Sequence, residues 1–106
     1  MGIADWGLLE RPGGRGEANV AAKPVIISGH ARFEMQRRGI LPGDVVAAVR
    51  DPGQVVPSVK GRHICQVRLG VAGRLLLRVV VKESAAAYHV VTAYKTSKVG
   101  KYWSTP

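Results

Sequence analysis

Apolar and polar residues alternate through the second half of this chain. Leu75, Leu77, Val79 and Val81 interleave with Arg74, Leu76, Arg78, Val80 and Lys82, the two-residue period of a strand with one face toward a core. Flanking segments repeat the pattern, so the spacing predicts strands over Arg62 to Leu69, Arg74 to Lys82 and Ala87 to Lys95, joined by short turns that suit antiparallel neighbours. Gln54 to Ser58 is also extended, but Pro57 confines it to an edge or a strand end. Upstream the period changes. Val25 to Ser28 reads as a short strand, and Ser28 is a plausible N-cap for a helix from His30 to Arg38 that Gly39 closes. A second helix, Pro42 to Arg50, starts on proline and buries Val45, Val46 and Val49. The expected fold class is α+β, with two N-terminal helices packed on one face of an antiparallel sheet of four to five strands.

Residues 1–23 show neither period and hold five glycines, which predicts a flexible arm followed by a single domain over 24–106. A length of 106 residues leaves no room for a second core. No apolar run reaches the roughly 20 residues of a membrane span, and no secretory signal pattern opens the chain. With Cys65 as its one cysteine, the protein is expected in the cytoplasm, without a disulfide framework.

Charge changes the picture. Sixteen Lys and Arg against seven Asp and Glu give a formal charge of +9. Residues 1–23 hold three of each sign, so the excess lies in the folded part and points to an anionic partner. If the registers align, one sheet face collects Arg68, Arg78, Thr92 and Tyr94, whereas His89 falls on the other face with Ala87, Val91 and Ala93. Guanidinium forks beside a phenol and a hydroxyl suit a phosphodiester, whose nonbridging oxygens accept paired hydrogen bonds. The plainer reading is a solvated sheet face carrying good strand formers.

Beyond residue 23 the carboxylates are Glu34, Asp44, Asp51 and Glu83, too scattered in sequence for a two-metal centre. No metal or cofactor is expected. RNA can instead be cleaved by its own 2′-hydroxyl if a side chain moves the proton while cations stabilise charge at phosphorus. His30, beside a helix N-terminus that attracts phosphate, is the best acid/base candidate, with Arg78 and Tyr94 as catalytic partners. Arg68, Thr92 and Lys95 are expected to bind substrate, as are Lys98, Lys101 and Tyr102 of the basic, aromatic tail. His63 and Cys65 are expected on the core side of their strand. These readings lead to a metal-independent endoribonuclease or, alternatively, a noncatalytic basic module that binds nucleic acid or protein.

The segment SGHARFEMQRRGI, from Ser28 to Ile40, resembles the opening helix of the bacterial family catalogued as domain of unknown function 4258, whose pattern is close to HAxxRMxxRGI. The motif DVVAAV and the strand VVTAY, Val90 to Tyr94, extend the resemblance. It implies the architecture of RelE-like and BrnT-like toxins and barnase-type RNases. It further implies a small toxin-like ribonuclease acting on RNA, free or ribosome-bound, and held by an acidic antitoxin. By motif position, His30, Arg38, Thr92 and Tyr94 are the residues it marks. Glu34 departs from the pattern by standing where an arginine is expected, and a pairing with Arg38 at i, i+4 would account for it.

Overall fold

The computed structural model describes residues 23–104. The arm expected over residues 1–23 therefore lies outside the described residues except for Lys23. That residue is tied down: its ammonium pairs with Glu83 and donates to Ser84 O at 2.9 Å, and its carbonyl accepts from Arg50 at 2.8 Å.

The elements follow in the order β1 (Val25–Ile27), α1 (Gly29–Arg37), α2 (Pro42–Arg50), β2 (Gln54–Pro57), β3 (His63–Leu69), β4 (Leu75–Glu83), β5 (Tyr88–Thr96) and α3 (Val99–Tyr102). One five-stranded sheet has the spatial order β1-β5-β4-β3-β2. Strands β2 to β5 form an antiparallel meander, and β1 pairs parallel to the start of β5, with Val25 opposite Tyr88 and Ile27 opposite Val90. The class is α+β as expected, but the sheet is mixed and a third helix closes the described chain. The parallel pairing arises because α1 and α2 lie between β1 and the meander, which lets β1 enter at the far edge.

Helix α1 has clear local causes. Ser28 Oγ accepts from Ala31 N at 3.0 Å, satisfying a donor that the first turn leaves free. At the other end Gly39 N reaches Gln36 O and Ile40 N reaches Met35 O, a paired closure that needs the left-handed conformation Gly39 adopts at φ +66°. Ala31, Met35 and the following Ile40 then bury against Val45, Ala48 and Val49 of α2 and against Cys65, Leu77, Val79, Val81, Val90 and Ala93 of the sheet. In α2 the fully buried stripe is Val45, Ala48 and Val49, an i, i+3, i+4 pattern that leaves Val46 only half-buried.

Strand β5 departs from simple alternation. Val80 pairs with Thr92 but Val81 pairs with Val90, so Val91 is an extra residue and the strand bulges there. Residues on the N-terminal side of the bulge exchange faces. Val90 is buried and Tyr88 packs on the core, while His89, expected inside, is exposed opposite Lys82. Thr92 and Tyr94, beyond the bulge, keep their expected face.

Candidate nucleic-acid interface

The face of the sheet turned away from α1 and α2 carries a row of polar side chains running across four strands. Gln54 stands opposite Gln66, Gln66 opposite Arg78, and Arg78 opposite Tyr94. Register places these groups side by side, and hydrogen bonds link them. Gln66 Nε2 donates to Gln54 Oε1 at 2.8 Å, Arg78 Nε to Gln66 Oε1 at 3.0 Å, and Arg78 Nη1 to the Tyr94 hydroxyl at 2.6 Å. Gln66 is fully buried and Arg78 is 7% exposed.

The chain's own C-terminal segment provides the cover. The Tyr102 ring lies 4.1 Å from the Arg78 guanidinium, and Arg68 stands 5.6 Å from the Trp103 ring. Gln66 Nε2 also donates to Tyr102 O at 3.0 Å, and Gln54 bonds both the amide and the carbonyl of Ser104. Arg68 is further held by its Nε bond to Gly73 O at 3.1 Å.

Arg38 approaches from the sheet edge. Strand β1 covers β5 only as far as Val90, and beyond it Arg38 Nη1 donates to Ala93 O at 2.9 Å and to Thr92 Oγ1 at 3.3 Å. Its Nη2 pairs with Glu34 at 2.7 Å in the i, i+4 arrangement the sequence suggests. Thr92 and Tyr94 are two residues apart on one face, about 7 Å along the strand. Two guanidinium groups are thereby docked on two neighbouring hydroxyls.

Not every expected site residue joins this row. His30 sits exposed in the first turn of α1, about 12 Å along the helix axis from Arg38. Lys95 pairs with Leu77, a core-side residue, and so belongs to the opposite face from Arg78. Lys98 and Lys101 are exposed, with Lys101 Nζ 5.2 Å from the Tyr102 ring. Gln54 and Gln66 are the members sequence reasoning missed. Their signal was the row itself: Gln66 lies directly opposite Arg78, and Leu76 and Ile64 on the same face are too apolar for a surface left fully open.

On the helix side, a cavity of about 550 Å³ is lined by Val49, Arg50, His63, Cys65, Glu83 and Tyr88, among others. His63 and Cys65 face the core side as expected. Burial, with a further contribution from the Glu83 charge, pushes the Cys65 thiol up to about 11. Glu83 moves the other way, because the Lys23 ammonium bonds its carboxylate and holds it below the usual range. The stability this pair supplies is present above the ordinary carboxylate range and lost as pH falls through the lowered value. Cys65, 2% exposed, should label with a disulfide reagent at pH 8 far more slowly than in unfolded protein; equal rates would show the thiol accessible. Among the described residues, no group of three or more His, Cys, Asp or Glu side chains converges as a metal site, and no helix is long and apolar enough to cross a membrane.

No protein-family model matches the chain, and no curated protein matches it. The motif resemblance of residues 28–40 and 90–94 therefore stands without a family assignment. Among solved structures, the 1.1 Å crystal structure of the Brucella abortus ribonuclease toxin, BrnT, aligns with a TM-score of 0.49 at 14% identity, covering 71% of this chain and 97% of that one. Nothing about this chain's activity follows from a likeness at that level.

Proposed function

We propose that this protein is a toxin-like, metal-independent endoribonuclease that acts on single-stranded RNA at the row from Arg38 and Thr92 to Tyr94 and Arg78. The observation that supports this reading is the docking of two guanidinium groups on neighbouring hydroxyls of one strand face. A phosphodiester between them, reaching Arg78 once Tyr102 moves aside, would receive fork donors on its nonbridging oxygens, and those donors grow stronger as negative charge develops during 2′-hydroxyl attack. The 2′-oxygen forms the new bond to phosphorus, the bond to the 5′-oxygen breaks, and a 2′,3′-cyclic phosphate remains. The Glu34 carboxylate beside Arg38 takes the 2′-hydroxyl proton, and the Tyr94 phenol gives one to the departing 5′-oxygen. His30, at the other end of α1, is assigned to a more distant part of the bound strand. An acidic polypeptide laid over the same face would compete with RNA and act as the inhibitor.

The second reading is a noncatalytic RNA-binding module, favoured by the small exposure of Arg78 under Tyr102. Incubation of purified protein with RNA in EDTA distinguishes the two. The enzyme should leave cyclic phosphate ends, lose about 100-fold in rate in Tyr94→Phe, and retain most of its cleavage rate at saturating RNA in His30→Ala. RNA that is bound but left intact, on and off the ribosome, would establish the module instead.

A further inference from the structure

The C-terminal segment is held by the same chemistry that the sheet face would offer to RNA. It forms no strand pair with the sheet; side chains carry the attachment. Gln54 presents a donor and an acceptor together, taking Ser104 N at 3.0 Å and giving to Ser104 O. Gln66 gives to Tyr102 O, and the flat Arg78 guanidinium lies against the Tyr102 ring. A side-chain amide with paired donor and acceptor matches the edge of a nucleobase, and a guanidinium plane stacks on any base as it does on a phenol.

Burial adds a second constraint. Gln66 and Arg78 are 0% and 7% exposed, so no ligand reaches them while residues 102–104 stay in place. The Trp103 ring closes the far end against Gly53, where an added Cβ would stand 2.7 Å from the ring and 3.2 Å from Gln66 O. Gly53 is thus a latch made by the absence of a side chain, and it contributes no charge to the face.

We propose that the Gln54–Gln66–Arg78 row is a nucleotide-binding site occupied here by the chain's own residues 102–104, which single-stranded RNA displaces. The proposal rests on the RNA reading above and adds a regulatory consequence: a site covered most of the time binds with an apparent affinity reduced by the fraction that is open. Lys98 and Lys101 are exposed with the segment in place and would attract the strand to it.

Gly53→Ala tests this without altering charge or replacing any proposed RNA contact, and Ser104→Pro, which removes the amide that donates to Gln54 Oε1, provides a second route should the first fail to fold. Both are made in a Trp6→Phe background, where Trp103 is the one remaining tryptophan, and titrated with a labelled 2′-O-methyl oligoribonucleotide that cannot be cleaved. Folded variants should bind about fivefold to tenfold tighter than the parent, and Trp103 emission in the parent should change as the oligonucleotide saturates. Equal or weaker binding by the folded variants, or Trp103 emission unmoved at saturation, overturns the displacement. In that case, retained binding by the parent leaves the RNA reading standing. If neither parent nor variants bind, both fall together.

Discussion

Replacing Arg78 with alanine should lower the melting temperature by roughly 15 °C, an effect much larger than that of any other single arginine in the site. Arg78 is 7% exposed and donates to Gln66 Oε1 and to the Tyr94 hydroxyl. Its removal leaves a fully buried amide oxygen without its donor and the Tyr102 ring without the cation it stacks on. Hydrogen bonds to a charged group contribute about 1.5–3 kcal/mol each, so a loss of about 3 kcal/mol is expected. In a domain of this size each kcal/mol moves the midpoint by about 4–8 °C. Lysine cannot restore the stability, because a point charge lacks the fork that bonds both neighbours. Thermal unfolding followed by circular dichroism measures this; a midpoint within about 3 °C of wild type would show that the row does not hold the sheet face together. Loss of activity in an Arg78 variant consequently says little about catalysis unless folding is measured beside it.

Much of the fold was legible because one face of β3, β4 and β5 is buried under α1 and α2. Leu77, Val79 and Val81 have no alternative to the core, and Ser28 with Gly39 marks α1 at both ends through backbone groups that must be satisfied. His89 was misread because alternation assumes an unbroken ladder, and the extra residue at Val91 reverses the faces of Tyr88, His89 and Val90. Neither Val91 nor its neighbours carry the glycine that signals one type of bulge, so the local sequence gives no warning. The parallel entry of β1 was illegible for a related reason. A three-residue apolar segment fits either edge and either direction, and only the crossover through α1 and α2, which separate β1 from the meander along the chain, selects one.

The candidate site was legible as residue types and illegible as an assembly. Arg78 and Tyr94 share a face by simple counting, and that relation stands in the register. The tail's Tyr102 also reaches this face, but as a cover on Arg78. Alternation identifies which groups share a surface and says nothing of what lies on top of it. Leu76 was the available hint: a leucine on a face otherwise read as polar calls for a cover, and in the fold it is fully buried.

Arg38 separates function from stability more cleanly than Arg78 does. Its guanidinium sits at the sheet edge, with a side chain 35% exposed, bonded to Thr92, Ala93 O and Glu34. Exposed pairs of this kind contribute about 0–1 kcal/mol, so Arg38→Ala should melt within a few degrees of wild type. Its effect on RNA should be large. Removing one preorganised donor from a developing oxyanion costs about 100-fold to 1,000-fold in rate, and losing one phosphate contact should flatten the log-log salt dependence of single-strand binding by about 0.7. Arg38→Lys should recover the salt slope, which depends on charge, and only part of the rate, which depends on the fork. Glu34→Gln should tighten RNA binding by removing a carboxylate beside the phosphate position, and it should slow cleavage if that carboxylate accepts the 2′-hydroxyl proton. An Arg38→Ala protein that melts normally, keeps its salt slope and cleaves at the wild-type rate would place the RNA site away from the β5 edge and end the reading of Arg38 and Thr92 as its centre.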